Sequence, residues 1–332
     1  MPKLSVIVPN FNREALIGET LANLLAQTRP PDELIVIDDG STDGSVEVIA
    51  GFGKAVTLLR QANAGPAVAR NKGLAAASGD FVQFFDSDDL CSLDKLELQS
   101  RALAASDAPF VYGPWLQARL ANGIASYDEP VLQQRGLPAS RTALSWYLRG
   151  WVIVFQCCMF RRSVLDAVGH YREDLMPTED SELLFRILAK GHEPVHVPGA
   201  LVLYRLHPGH QISGGGMATP QRAADWSRFL GVVADQLADI ADVAQADRER
   251  WRWLQREAAA DLARLDLAAP ALPEPGLVSR LQWQADRLAR AVGKRVSRRI
   301  DGSTFPAQYG QAPLTAAQEA ALGAIGYAAV RP

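Results

Sequence analysis

The chain is short of cysteine, of long apolar runs and of net charge, and each shortage removes a class of protein. Its three cysteines, Cys91 and the adjacent Cys157 and Cys158, offer neither an even disulfide framework nor metal-ligand spacing. Buried thiols in a reducing compartment are therefore expected, and no zinc site is visible. The first apolar run, Leu4 to Val8, stops at Pro9 and Asn10. That is too short for a signal peptide or a membrane span, so the expected location is the cytoplasm. A formal net charge of -3 over 332 residues leaves no overall footprint for nucleic acid, and any basic surface must be local. No internal repeat is present, and no glycine-rich phosphate loop with a basic residue follows the first apolar run. Hydrophobic residues, by contrast, make up 48% of the chain, which supplies a large core and excludes disorder throughout.

Apolar runs alternate with helical periodicity along the first third. Leu4 to Val8 reads as a buried strand, and Ile17, Leu21, Leu24 and Leu25 stand at helical spacing before Pro30 and Pro31. Leu34 to Ile37, Val56 to Leu59 and Phe81 to Phe85 read as further strands. Helices are expected around Val46 and Ile49 with Asp43 as cap, over Ala67 to Ala77, and through Leu93, Leu96 and Leu103. Such alternation predicts an α/β fold: a Rossmann-like, mostly parallel sheet with helices on both faces. Ligands of such sheets bind beyond the carboxyl ends of the strands, and three of those ends are polar here: Pro9 to Arg13, Asp38 to Ser41, and Asp86 to Asp89. From about residue 110 the pattern loosens, with strands expected at Phe110 to Tyr112, Gln156 to Phe160, Val195 to Val197 and Leu201 to Arg205. Helices are expected around Leu144 and Val164, and a clear one from Glu179 to Lys190 ended by Gly191. Past Gly214 to Gly216 the composition turns to alanine, arginine and leucine in long helical periodicity. The expected division is 1–215, with halves 1–109 and 110–215, followed by a helical C-terminal region 216–332.

The run Phe84-Phe85-Asp86-Ser87-Asp88-Asp89 crowds three carboxylates at a strand end. They cannot all ionise cheaply there without a cation or hydrogen-bond donors. In extended backbone Asp86 and Asp88 share a face while Ser87 turns away. A few hard oxygen ligands suit Mg2+ or Mn2+, with water and diphosphate oxygens filling the remaining positions. The bland alternative is that Asp88 and Asp89 cap a helix beginning near Ser92. It accounts for Asp89 better than for the pair.

Four stretches in order resemble family 2 glycosyltransferases: Ser5 to Asn12, Ile37 to Asp43, Asn63-Ala64-Gly65 leading to Ala69-Arg70-Asn71, and Asp86 to Asp89. The likeness continues through Arg161 to Ser163, Gly169 and Glu179-Asp180, over about the first two thirds of the chain. It implies a GT-A fold, a UDP-sugar donor, a divalent metal and inversion at the anomeric carbon. Carried over to this sequence, Pro9, Phe11 and Asn12 would meet the nucleoside, and Asp39 the N3–H of uracil, which a carboxylate can accept. Asp38 better suits a structural role. Arg70 would meet base, ribose or phosphate. Asp86 would reach ribose or metal, Ser87 would belong with it to the donor-binding residues, and Asp88 would be the firmer metal ligand, with His207 close to metal or diphosphate. Asp180 is the implied general base, with Glu179 positioning it or the acceptor. Helix capping would also explain Thr178-Glu179-Asp180, and an Asx turn with Gly40 would explain Asp39.

Arg287 to Arg299 combines an apolar stripe with a polybasic face that suits an anionic membrane surface, a neighbouring subunit or the protein's own domain. A lipid-linked saccharide acceptor would fit the first of these. Trp115, Trp146 and Trp151 suit sugar stacking or core packing equally, whereas Cys157 and Cys158 read as packing residues. The rival functions are a catalytically silent nucleotide-sugar-binding scaffold and a sugar nucleotidyltransferase. Sugar and acceptor identity depend on residues 110–178 and are not legible.

Overall fold

Leu4 to Val8 are buried as the core of strand β1 (Leu4–Asn10), which lies parallel between β2 (Glu33–Asp38) and β4 (Phe81–Phe84). The computed structural model describes residues 1–127, 131–207, 219–272, 280, 284 and 311–330. Strand β3 (Thr57–Arg60) adds beyond β2; on the other side come β9 (Cys158–Arg161), β6 (Phe110–Tyr112) and β10 (Val195–His196). The resulting order is β10-β6-β9-β4-β1-β2-β3, with β9 antiparallel to both of its neighbours. This is the expected mostly parallel sheet.

Helices α1 (Glu14–Leu25), α2 (Ser45–Ala50), α3 (Pro66–Ala76) and α4 (Lys95–Ala104) fill the connections. Asp43 sits at two of these junctions. It accepts from the Ser45 backbone N–H at the start of α2 and from the Glu14 N–H at the start of α1. Gly73 is required where α3 packs on the sheet, because a Cβ there would collide with the Ile7 and Ile37 side chains.

A second sheet was not anticipated. It runs β12 (Ala328–Val330), β8 (Ile124–Ser126), β7 (Trp115–Ala121), β11 (Val202–Arg205), β5 (Leu90–Cys91). Leu90, Leu116, Ala118, Leu201, Leu203 and Leu322 form its own apolar cluster. Helices α5 (Ala143–Leu148), α6 (Arg162–Val168) and α7 (Glu179–Ala189) complete the central part. The C-terminal region supplies α8 (Pro220–Ala238), α9 (Gln245–Arg264) and α10 (Ala316–Ala324). The apolar faces of α8 and α9 join the main core through Phe229, Leu230, Val233 and Trp251, with Trp251 stacked on Tyr147. Trp151 is fully buried and donates from Nε1 to Gln133, so it is a core residue. All three cysteines are buried and free. No helix among the described residues is long and apolar enough to cross a membrane. The basic stretch 287–299 lies outside the described residues.

Candidate active site

The carboxyl ends of β1 and β2 are tied together by their own polar side chains. Asn10 donates to Asp38 and to Ser41, the Ser41 N–H donates to Asp38, and the Asn12 carboxamide oxygen accepts from the Thr42 N–H at 2.8 Å. Asp38 is thus the structural member, as expected. Asn12 takes a left-handed backbone, φ 52°, and the neighbouring Phe11 ring is 43% exposed beside it. Asp39 turns toward the loop after β3. Its Oδ1 accepts from Gln61 Nε2 at 2.8 Å and from the Ala64 N–H at 2.9 Å, and its Oδ2 from the Gly65 N–H at 2.8 Å. The Asp39-Gly40 corner can lie this close only as glycine: Gly40 has φ 81°, and a Cβ would stand 2.8 Å from the Asn63 nitrogen.

Gly65 begins α3 with Pro66 at its first turn, and the helix carries Arg70 into the middle of the site. Arg70 is buried. It donates to Asp86 at 3.1 Å and to Glu179 at 3.0 Å, and stands 3.7 Å from Asp180. Its guanidinium lies over the Tyr171 ring, 5.4 Å from the centroid. Burial alone would lower the guanidinium pKa, but Asp180, Asp86 and Glu179 together hold it well above the ordinary value. Burial first, then Asp180, against the pull of Arg70, pushes the Glu179 carboxyl up to about 7. Burial also leads in pushing Asp86 up to about 6, with Asp88 and Asp180 adding to it and Arg70 opposing. The Asp86 side chain keeps 32% of its surface open, so water softens that rise. Tyr171 is held neutral, by burial and then by the Asp180 carboxylate.

Past β4 the chain turns, so the strand alternation expected to aim Asp86 and Asp88 at one ligand does not extend to them. Asp86 meets Arg70. Asp88 Oδ2 instead accepts from Arg13 Nε at 2.9 Å and lies 3.1 Å from His207 Nε2. Ser87, expected among the donor-binding residues, is buried, and its carbonyl accepts from Thr20 Oγ1 at 3.2 Å. Asp89 does not cap a helix: α4 begins at Lys95, with Asp94 before it. Asp89 is fully buried between the two sheets, accepting from the Arg205 N–H and from Gln156 Nε2, both at 2.8 Å. The two-residue strand β5, which follows Asp89 at once, displaces the expected helix start.

Among the described residues no three of His, Cys, Asp and Glu converge into a ready metal cage. The fit rests on the pair Asp88 and His207, whose 3.1 Å separation is that of neighbouring ligands on one six-coordinate cation with bonds of about 2.1 Å. Two protein ligands suit a metal that takes its other ligands from water and a diphosphate. Sequence reasoning missed Arg13 and Tyr171 here. Arg13 had a signal, as a cation directly after Phe11 and Asn12, which the resemblance implies for the nucleoside; Tyr171, a lone aromatic in a loop, had none.

Residues 5–169 match the model described as glycosyl transferase family 2. The chain carries a family 2 glycosyltransferase domain. An uncharacterized glycosyltransferase of Haemophilus influenzae is 41% identical over 117 residues, 34% of this chain and 47% of that protein. A putative teichuronic acid biosynthesis glycosyltransferase, TuaG of Bacillus subtilis, is 39% identical over 116 residues, 33% of this chain and 46% of that one. The chain thus spans about half the length of these curated relatives. Among solved structures, S. aureus TarS residues 1–349 in complex with UDP-GlcNAc superposes with a TM-score of 0.56 at 20% identity, covering 89% of this chain and 81% of that one. The mannosyltransferase PcManGT of Pyrobaculum calidifontis, in complex with GDP-Man and Mn2+, gives 0.53 at 21%, covering 91% and 82%. These likenesses establish the GT-A fold. The family 2 match ends before Glu179, Asp180 and His207, so their connection to the domain rests on the contacts with Arg70 and Asp88.

Proposed function

We propose that the protein is an inverting, metal-dependent hexosyltransferase that moves a sugar from a UDP-sugar to a hydroxyl of a saccharide or lipid-linked saccharide, in the building of a cell-surface polysaccharide or glycolipid. The observation that carries this reading is the set of acids around Arg70. Asp86 comes from the nucleotide half, 1–109, and Glu179 and Asp180 from the acceptor half, 110–215, all on one guanidinium. The same arginine therefore ties the donor side to the acceptor side.

Asp39 supports uracil. A carboxylate has about four acceptor positions, and protein donors fill three of them here. One remains for the N3–H of a pyrimidine. Fold alone leaves the base open, since the two solved neighbours carry UDP-GlcNAc and GDP-Man. Asp180 is the general base in this proposal, with 29% of its side chain open to solvent. It takes the acceptor proton while the acceptor oxygen attacks the anomeric carbon and the bond to the diphosphate breaks on the opposite side. Glu179, bonded to Arg70, holds the acceptor or Asp180 in position. Asp88 and His207 would hold the cation, with Asp86 reaching the ribose or the cation's water. A divalent cation there supplies Lewis-acid stabilisation of the leaving diphosphate.

Two measurements test this. A thermal-shift panel of UDP, dTDP, GDP and CDP with Mn2+ should raise the melting temperature most with UDP or dTDP. With UDP-sugar and Mn2+, Asp180→Asn should still bind UDP but transfer roughly 10²–10⁴-fold more slowly. Equal turnover in both proteins would remove Asp180 from the mechanism.

A further inference from the structure

Asp88 Oδ2, the oxygen best placed for a cation shared with His207, already holds a cation of the protein's own. Arg13 Nε donates to it at 2.9 Å, and His207 Nε2 lies 3.1 Å from the same atom. The Arg13 backbone is fixed independently of that contact. Its N–H donates to Ser45 Oγ at 2.8 Å, and its carbonyl accepts from the Leu16 and Ile17 N–H groups, both at 2.9 Å, opening α1. The guanidinium also donates from Nη1 to the Phe11 and Asn12 carbonyls, at 3.4 and 3.1 Å, so a change of its carboxylate partner leaves the backbone bonds that open α1 in place. A guanidinium does not lose its proton in proteins, so a dication arriving at Asp88 meets a fixed positive charge at close range, and the repulsion between them favours the arginine's departure. Arg13 follows Phe11 and Asn12, at the edge where Asp39 and Arg70 also stand. A nucleoside diphosphate bound there brings at least two negative charges within its neighbourhood.

Resting on the glycosyltransferase reading above, we propose that Arg13 is an exchangeable countercharge: it neutralises Asp88 until nucleotide and divalent cation arrive together, then transfers its contact to the diphosphate. Arg13 gives up the carboxylate and gains a phosphate oxygen. Asp88 and His207 would then be open to hold the cation, which would supply charge compensation to the diphosphate. Two consequences follow from the exchange. The cation binds weakly without nucleotide, and each ligand strengthens the other by the same factor, as linkage requires.

The test is Mn2+ titration followed by the EPR signal of free Mn2+, with the full chain, with and without UDP, for the parent, Arg13→Gln and Arg13→Lys. Because UDP itself chelates Mn2+, the ratio of variant to parent carries the information. Arg13→Gln should bind Mn2+ alone about tenfold more tightly than the parent, and Mn2+ with UDP more weakly, so that the coupling between them shrinks. Arg13→Lys, which keeps the charge, should retain most of that coupling and guards against a folding defect in the glutamine variant. A merely structural arginine would weaken Mn2+ binding on removal or leave it untouched. If Arg13→Gln melts as the parent does and its Mn2+ affinity without UDP is unchanged or lower, the exchange is overturned while the glycosyltransferase reading stands. If the parent binds neither UDP nor Mn2+, the reading falls and the exchange with it.

Discussion

Arg70 is the residue on which the electrostatics of the site depend. Three acids face one buried guanidinium, and removing it leaves them without compensation. Arg70→Ala should therefore lose roughly 3–5 kcal/mol in denaturant unfolding. Arg70→Lys, a point charge without the fork, should recover part of that stability but not the simultaneous hold on Asp86 and Glu179. Glu179 gives a prediction in pH. Its folded pKa of about 7 lies above the ordinary glutamate value, so the folded protein binds more protons than the unfolded chain between the two. That contribution is fully present below the unfolded value and is lost as pH rises through 7. The melting temperature of the parent should fall relative to that of Glu179→Gln between pH 5 and pH 8, and a constant difference would remove Glu179 as the titrating group. Which single residues were legible follows from where their partners lie. Asp39, Asp86 and Asp88 were readable because each follows an apolar run. The role of Arg13 depends on Asp88, which is 75 residues away, and no local pattern reports such a pairing.

At the scale of elements, the sequence told most where one face is buried by local neighbours. Strands β1, β2, β3 and β4, and helices α3 and α7, lie within a residue or two of their expected bounds, and α1 carries the expected Ile17, Leu21, Leu24 and Leu25. Strand β7 was missed although Leu116, Ala118 and Leu120 alternate along it, because leucine, alanine, glutamine and arginine are good helix formers and the alternation is short. Strands β5 and β12 have two and three residues; they exist only by pairing with distant partners. Helix α3 carries the most consequence, because one face lies on β1 and β2 while its body presents Arg70. Gly73→Val would push a branched side chain into Ile7 and Ile37. Over-packing of this kind should cost about 1–3 kcal/mol, and lifting α3 should weaken UDP binding beyond what lost stability explains. Unchanged UDP affinity in a destabilised Gly73→Val would mean that α3 does not set the position of Arg70 and Gly65.

Across the whole molecule, the two sheets meet at Asp89, and the second sheet is closed by residues from the far end of the chain. Strand β12 pairs with β8, Leu322 of α10 is fully buried among Leu90, Leu116 and Leu203, and Tyr327 donates to Glu19 Oε1 at 2.6 Å. Glu19 Oε2 in turn meets Arg205 at 2.8 Å, and the Arg205 N–H donates to Asp89. His207 follows two residues later, beside Asp88. The C-terminal residues therefore reach the candidate metal site through α1 and β11, a link that helical periodicity after residue 216 gave no reason to expect. Deleting residues 311–332 would uncover the Leu322 contact surface and leave Glu19 without its tyrosine. Loss of one fully buried leucine costs about 2–5 kcal/mol in measured core truncations, so the truncated protein should melt several degrees lower. Because Glu19, the partner of Arg205 on β11, loses Tyr327, and the sheet that carries β11 loses its edge strand, His207 should be held less firmly, and Mn2+ binding in the presence of UDP should weaken more than UDP binding alone. Equal loss of both would mean that the C-terminal residues stabilise the fold without shaping the metal site.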